Sequence, residues 1–469
     1  MAIESDVLVI GGGLAGLTSA ITAAREGAHV RLVSYKQSTL RQASGLVDIL
    51  GYTPEGEGPL TDPYEAIPEL PDAHPYRIVG SDTVRDSMAL FDEVVPEYQG
   101  GHTDTNALLP THGGTVKPTS RYPAGAAAGL ASDDRDVLLV GFESMTDFDA
   151  PHAAAHLRAA GVPFDVHGVT VEFPGDLKAD AKVTRYAKLL EHNGTVSVRG
   201  REQGARDALA ARVNRERTEE PRVGFPAVLG DDDAVGVHAA LSEKLDAEVF
   251  EVPSGPPSLP GLRLEDALFD ALDEAGGNFE TGNPVVEFDG DDRIERVYLE
   301  KNGAKVPVRA DQYVLATGGL VGKGVESDRE GVREPVFDCH VPHPEDRYAW
   351  FDLDVFGDHP FALFGVGDNR GQVLARLRQT AGQMLQVLPV EGGKLRQGRG
   401  AAGGEQAVGE ARQHQRRPAA GRLNRCRVRL SPARRPARSY RRRSLGGRGS
   451  SRRSGRLEAR ASRRSRRRR

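Results

Sequence analysis

A glycine-rich turn near the amino terminus has the residue types and spacing of a phosphate-binding loop. Its sequence, Gly11-Gly12-Gly13-Leu14-Ala15-Gly16, fits the pattern G-x-G-x-x-G. We expect Gly11 to permit a tight turn, Gly13 to let a phosphate approach the backbone, and Gly16 to let a helix pack closely. All six residues are therefore predicted to contact the phosphate of a nucleotide or flavin cofactor.

The elements around this turn have the order that such a loop needs. Residues 6–10 form a short apolar run typical of a buried parallel strand. A helical pattern over residues 17–26 ends at Gly27, and a second apolar run covers residues 30–33. This is a βαβ unit, and the amino terminus of its helix offers N–H donors and a positive dipole end to a phosphate.

The second strand of this unit lacks the Asp or Glu that usually binds an adenosine ribose. Ser34 and Lys36 stand at this place instead. Ser34 would hydrogen-bond the ribose, or Lys36 would meet a 2′-phosphate such as NADP carries. Alternatively, the cofactor is a mononucleotide without an adenosine ribose. The residues alone leave these three interpretations open.

A second strand that ends in glycine follows about 300 residues later. Residues 285–288, a turn at 289–291 and residues 294–300 have the alternation and turn chemistry of a β-hairpin. The apolar run 313–315 then leads into Ala316-Thr317-Gly318-Gly319. We expect Thr317, Gly318 and Gly319 to bring the backbone to the cofactor a second time, as the same strand does in flavoproteins with two dinucleotide domains.

Arg333 is the candidate for binding an anionic substrate group or a flavin carbonyl, because arginine presents a fixed fork of donors. The alternative is a surface salt bridge with Glu334 or another neighbour. Cys339 and His340 lack a second ligand cluster with standard spacing, so no metal site is predicted. No residue can be assigned as the catalytic base.

The charge distribution divides the chain at residue 368. From Asp368 onward lie 30 of the 62 Lys and Arg residues but only 5 of the 67 Asp and Glu residues, so this segment carries +25 and the preceding part −30. We predict that 368–469 is a disordered arginine-rich tail, and its composition buries too little apolar surface to fold from about residue 395 onward. A frame shift in GC-rich coding DNA is the favoured explanation, since most arginine codons are GC-rich. A nucleic-acid-binding arm is the less favoured alternative.

The remainder of the chain is acidic and poor in lysine, which suggests adaptation to high salt. Cys339 and Cys426 lie far apart, so we expect no disulfide framework and a reducing, cytoplasmic setting. No apolar run reaches the ~18 residues of a membrane span. Any membrane association is therefore expected to depend on a partner protein.

These patterns predict an α/β fold with a Rossmann-like flavin-binding domain, a β-meander and an inserted α/β cap domain. The flavin-binding domain is assigned to residues 1–162 and 264–367. Strand-like and helical runs alternate between these parts, so residues 163–263 are assigned to the inserted substrate or cap domain. The arginine-rich tail, 368–469, completes the predicted organisation.

Spaced blocks of the sequence resemble the B subunits of the anaerobic glycerol-3-phosphate dehydrogenases over residues 1 to about 367. The blocks are Gly11-Gly12-Gly13-Leu14-Ala15-Gly16, Ala73-His74-Pro75-Tyr76, Met145-Thr146-Asp147-Phe148, Pro256-Pro257-Ser258 with Gly261-Leu262-Arg263-Leu264, and Gly331-Val332-Arg333-Glu334-Pro335. The family would continue to a final glycine-rich flavin segment and a closing helix, which the arginine-rich tail does not supply.

The resemblance implies a flavin oxidoreductase subunit, usually associated with FMN, beside a catalytic A subunit that carries FAD and a membrane-associated iron–sulfur C subunit. The complex would oxidise sn-glycerol 3-phosphate to dihydroxyacetone phosphate and pass electrons to quinone at the inner face of the membrane. FMN would explain the missing acid at Ser34, whereas the glycine motif suggests FAD. The alternative is another FAD- or NADP-dependent oxidoreductase of the same fold.

Overall fold

The fold contains two main β-sheets. The computed structural model describes most residues before 349. The described ranges are 2–72, 74–178, 181–255, 258–291, 293–319, 322–339, 341, 343 and 346–348, with the strands at 375–379 and 383–388.

The strands are β1 (Ile3–Ile10), β2 (Val30–Ser34), β3 (Tyr98–Gln99), β4 (Ala107–Pro110), β5 (Val116–Thr119), β6 (Tyr122–Pro123), β7 (Val137–Phe142), β8 (Val166–Val171), β9 (Thr195–Val198), β10 (Arg201–Gly204), β11 (Arg222–Pro226), β12 (Glu248–Val252), β13 (Asn278–Thr281), β14 (Val285–Asp289), β15 (Arg296–Lys301), β16 (Ala304–Leu315), β17 (Glu326–Ser327), β18 (Val332–Arg333), β19 (Ala375–Gln379) and β20 (Gln383–Leu388). The α-helices are α1 (Leu14–Arg25), α2 (Pro63–Ala66), α3 (Pro75–Val79), α4 (Ser81–Val94), α5 (Ala150–Ala160), α6 (Val183–Glu191), α7 (Ala205–Glu216), α8 (Ala234–Leu245) and α9 (Leu259–Glu274). Short 3₁₀ turns lie at Thr39–Gln42, Ile67–Glu69 and Ala124–Gly129.

The first sheet has the order β13-β2-β1-β16-β15-β14. The strands from β13 to β16 are parallel, whereas β15 and β14 complete an antiparallel meander. Side chains alternate between its faces, because successive residues of a strand point to opposite sides. Val9 packs in the cluster that contains α1 and α9, whereas Leu8 and Ile10 pack with Leu299 and Tyr313. The predicted βαβ unit, hairpin and final strand are confirmed.

The second sheet is fully parallel, with the order β12-β11-β7-β8. Helices cover both faces: Leu138 and Val140 pack with residues of α6, α7 and α8, whereas Leu139 packs in the cluster that contains α5. This sheet includes β7, which lies before the boundary predicted between residues 162 and 163, and the domain boundaries themselves stay predictions. The apolar run 137–140 identifies a buried strand locally, but only its neighbours β8 and β11 show to which sheet it belongs.

Two strands of the described structure lie inside the predicted tail. β19 and β20 form an antiparallel pair, and β20 also pairs with β16 through Val387 and Val314. The prediction of a disordered tail from residue 368 onward is therefore not confirmed for these strands. Their short apolar stretches can add backbone hydrogen bonds to an existing sheet, a possibility that net composition does not reveal. The rest of the predicted tail lies outside the described residues, and the frame shift stays a prediction.

No helix in the described part of the chain combines the length and the apolar composition that a membrane crossing requires.

Candidate functional site

The two glycine-ended strands of the first sheet lie side by side at its carboxyl edge. The Ala316 N–H donates to the Ile10 carbonyl at 2.8 Å, so the pairing with β1 continues one residue past the end of β16. Gly11 has a φ of +118°, and a Cβ there would lie 2.5 Å from the Ala316 carbonyl carbon and 2.9 Å from the Thr317 nitrogen. Only glycine allows the turn and this close approach together.

The helix behind the turn points its amino terminus at the same edge. Gly13 precedes α1 and its carbonyl accepts the first helical hydrogen bond, from the Leu17 N–H at 2.9 Å. No side chain caps this end and the first turn contains no acidic residue. The first N–H groups are therefore available to an external anion. A Cβ at Gly16 would lie 3.0 Å from the Gly11 carbonyl carbon and closer still to its oxygen, so glycine is required for this packing.

Ser34 ends β2 beside the glycine turn. A Cβ on Gly12 would lie 3.2 Å from the Ser34 Cβ. The Ser34 hydroxyl donates to the Lys36 carbonyl at 2.8 Å, which leaves the oxygen able to accept a hydrogen bond. Lys36 is exposed, with its Nζ 5.0 Å from the centroid of the Tyr35 ring. Ser34 thus has the chemistry to accept from a ribose hydroxyl, whereas the Lys36 side chain extends over an exposed ring.

The segment after β16 turns back on itself next to the 3₁₀ turn Thr39–Gln42. Gly318 has a φ of +82°, and the Gly324 N–H donates to the Gly319 carbonyl at 3.1 Å. A Cβ on Gly322 would lie 4.0 Å from the Thr39 methyl group. Thr317, Gly318 and Gly319 are half-buried in this turn. The loop that follows β2 and the loop that follows β16 therefore meet at the carboxyl edge of the first sheet.

Arg333 lies on β18 and takes part in a surface ion pair. Its Nη1 is 2.7 Å from Asp328 Oδ2, its Nη2 is 3.7 Å from Glu326 Oε2, and half of its side chain is exposed. The structure thus shows the salt bridge that sequence reasoning gave as the alternative, with different partners. Glu334 is buried and accepts the Val336 N–H at 2.8 Å, and burial raises the pKa of its carboxyl.

A buried ion pair that sequence reasoning missed joins α9 to the second sheet. Arg263 Nη1 lies 2.7 Å from Glu251 Oε2, and its Nε donates to the Gly230 carbonyl at 3.1 Å. Glu251 also accepts the Leu229 N–H at 2.7 Å. Although burial opposes the change, Arg263 and the nearby His238 hold the pKa of Glu251 well below its usual range. Arg263 was singled out in sequence only within a family block, because its partner is not a sequence neighbour.

Two cavities lined by described residues lie away from the glycine turns. One of about 590 Å³ is lined by residues such as Ala127, Arg135 and Glu248. Another of about 350 Å³ is lined by Arg158, His167 and others beside β8. Neither includes a residue of the two glycine-ended strands. The candidate site is therefore assigned from the glycine turn and the uncapped amino terminus of α1, because free N–H groups can bind a phosphate, and not from cavity size.

A parallel sheet with a glycine turn and helix amino terminus at its carboxyl edge defines a dinucleotide-binding protein of the Rossmann-like class. The family model described as "FAD binding domain" matches residues 6–383. A probable B subunit of anaerobic glycerol-3-phosphate dehydrogenase from Halobacterium salinarum is 70% identical over 367 residues, which cover 78% of this chain and 86% of the relative. The corresponding Vibrio cholerae protein is 28% identical over 77% of this chain and 84% of the relative.

The chain therefore belongs to the FAD-binding-domain family and, within it, to the B-subunit family of the anaerobic glycerol-3-phosphate dehydrogenases. The family match supports FAD over FMN as the cofactor. A solved 3-ketosteroid Δ1-dehydrogenase from Sterolibacterium denitrificans gives a TM-score of 0.30 at 14% identity, covering 67% of this chain and 48% of that chain. This score is too low to support an argument about function.

The residues present fit a dinucleotide. Gly11 lets β1 and β16 approach closely, and the uncapped amino terminus of α1 offers N–H donors for phosphates at the same edge. Ser34 has an oxygen left to accept a hydrogen bond where a ribose is expected. The absence of Asp or Glu at position 34 therefore does not require the cofactor to be a mononucleotide.

Proposed function

We propose that this chain is the flavoprotein B subunit of an anaerobic glycerol-3-phosphate dehydrogenase. The enzyme would oxidise sn-glycerol 3-phosphate to dihydroxyacetone phosphate and pass the electrons to quinone. The observation that carries this proposal is the 70% identity to a probable B subunit over 86% of the relative's length. The paired glycine-ended strands support it, because they supply the cradle that a flavin dinucleotide needs.

In this proposal, Gly12-Gly13-Leu14-Ala15-Gly16 at the α1 amino terminus hold the cofactor phosphates through backbone N–H groups. Gly11, whose N–H donates to the Val33 carbonyl at 2.8 Å, shapes the turn beside them. Ser34 accepts from a ribose hydroxyl, and the turn Thr317-Gly318-Gly319 brings backbone N–H and carbonyl groups to the cofactor again. Bound FAD would supply the two-electron acceptor chemistry, while the chain supplies position and electrostatics. Lys36 is exposed and is not needed for a cofactor without a 2′-phosphate.

The second α/β unit would act as the cap over the substrate. Its strands β11 and β12 lead at their carboxyl ends into Gly230 and the segment before α9. The Arg263–Glu251 pair connects this end to the helix that packs on α1. A cap anchored in this way would exclude water from a reaction between the two carboxyl edges.

The partners would be a catalytic A subunit and an iron–sulfur C subunit, as the family resemblance implies. The complex would work on the cytoplasmic side, at the inner face of the membrane, with the iron–sulfur protein providing the membrane contact. Co-purification with the tagged catalytic and iron–sulfur proteins would support this arrangement. Failure of the chain to associate with either of them would contradict it.

The decisive experiment combines cofactor extraction with anaerobic reduction. We expect the purified chain to release FAD, and we expect sn-glycerol 3-phosphate to bleach the flavin absorption when the catalytic partner is present. Glycerol should not bleach it. A protein that is colourless and takes up neither FAD nor FMN would contradict the proposal.

A further inference from the structure

The amino terminus of α9 lies between the carboxyl ends of strands from both sheets. On one side, Arg263 donates to the Gly230 carbonyl, which follows β11, at 3.1 Å. On the other side, a Cβ on Gly261 would lie 3.2 Å from the Ala43 nitrogen and closer still to the Leu40 carbonyl oxygen. The 3₁₀ turn Thr39–Gln42 is therefore packed directly against the first turn of α9. Ligands of α/β proteins bind outside the carboxyl ends of the strands, so this region is a natural substrate position.

The guanidinium of Arg41 forms an ion pair in this region that involves only one of its nitrogen atoms. Arg41, in the 3₁₀ turn, pairs through Nη1 with Glu265 on α9. Glu265 is 3% exposed at its side chain, whereas Arg41 is 31% exposed. The Glu265 carboxylate is the one acceptor that Arg41 has within the described part of the chain. Its Nε and Nη2 have no acceptor among the described residues, and the buried anchor limits the rotamers that the long side chain can adopt.

The charges around Arg41 decide whether it can receive an anion. Glu265 contacts it, and Asp266 lies one residue further along α9 and acts on it through space. Burial raises the pKa of both carboxyl groups, although Arg41 opposes the rise. Lys36 and Lys323 are exposed, and neither forms an ion pair with another residue of the described ranges.

We infer that Arg41 binds the phosphate of the substrate and that Glu265 is the positioning residue that fixes its guanidinium. This inference rests on the proposed function, because that function supplies a phosphomonoester substrate. A dianion at the free Nε and Nη2 donors would form two charge-assisted hydrogen bonds, a geometry that arginine provides and lysine does not. The contact would also separate sn-glycerol 3-phosphate from glycerol, which lacks the charged group.

The test measures binding of inorganic phosphate and of sn-glycerol 3-phosphate to the full chain by calorimetry, with flavin content determined separately. For Arg41→Ala we expect a roughly 10- to 100-fold weaker affinity for both ligands, the loss typical of a charged hydrogen bond. Arg41→Lys should lose part of this affinity. Glu265→Gln should weaken phosphate binding about tenfold or less, while FAD affinity stays unchanged. If Glu265→Gln binds phosphate more weakly but binds FAD as tightly as the unchanged protein, Glu265 positions Arg41 and its replacement does not simply destabilise the fold.

Arg25→Ala is the matched control, because Arg25 also pairs with one glutamate, Glu93, at 3.3 Å. Arg25 lies at the carboxyl end of α1, whereas the glycine turn precedes the amino end of this helix. This variant should bind phosphate like the unchanged protein. The inference would be overturned if the unchanged protein, Arg41→Ala and Arg41→Lys bound phosphate with equal affinity. It would also be overturned if none of the three proteins bound phosphate. Either result leaves the proposed function intact if FAD is bound. Loss of FAD from the unchanged protein would instead contradict the proposed function, without affecting the phosphate comparison.

Discussion

Replacing Gly11 with alanine should damage both the first sheet and cofactor binding. The φ of +118° is a conformation that alanine avoids, at a cost of roughly 1–2 kcal/mol. The added Cβ would also lie 2.5 Å from the Ala316 carbonyl carbon and 2.9 Å from the Thr317 nitrogen, and backbone atoms cannot rotate away. Overpacking of this kind costs about 1–3 kcal/mol more. We therefore expect Gly11→Ala to lose about 2–5 kcal/mol of unfolding free energy.

The same displacement moves the turn that would hold the phosphate. We expect FAD affinity to fall at least tenfold, which corresponds to about 1.4 kcal/mol. Urea unfolding of the apoprotein measures the first effect, and quenching of flavin fluorescence during titration measures the second.

Gly27→Ala provides the control for backbone strain alone. Gly27 has a φ of +86°, and a Cβ there would meet nothing within 4 Å. It should lose about 1–2 kcal/mol of unfolding free energy without a change in FAD affinity. If Gly11→Ala is no less stable than Gly27→Ala and binds FAD as tightly as the unchanged protein, the close approach of β1 and β16 is not what the site requires.

Three further results are expected. Arg263→Met should lose about 3–5 kcal/mol of unfolding free energy in urea, because it leaves Glu251 buried without its cation, and adding Glu251→Gln should recover part of the loss. Full stability of the single variant would show that the pair is not needed. Hydrogen bonds from Arg135 lower the pKa of Asp133 to about 2. A lowered carboxyl pKa stabilises the fold above the unfolded value of 3.8, so the stability difference between the unchanged protein and Asp133→Asn should shrink as pH falls from 3.8 to about 2. A pH-independent difference would contradict this. Finally, the acidic surface should make the melting temperature rise with KCl from about 0.1 M to about 2 M, and greatest stability in dilute buffer would refute salt adaptation.

Local patterns were enough to identify several elements. The glycine spacing at 11–16 and the apolar runs around it predict a strand, turn and helix, because each depends on residues close in sequence. The hairpin of β14 and β15 follows from alternation and turn residues in the same way. These signals failed where the answer depends on a distant partner. The strand Val137–Phe142 was recognisable, but not its membership of the second sheet.

Sequence by itself therefore determined the family, the glycine turn before α1 and the two strands that end in glycine. Tertiary structure decided that Gly11 meets Ala316, that Arg333 is paired at the surface, and that Glu265 anchors Arg41. The physical reason is the separation along the sequence over which each kind of interaction acts. Backbone geometry and side-chain periodicity act over a few residues, whereas burial and charge pairing depend on segments that come together only when the chain folds.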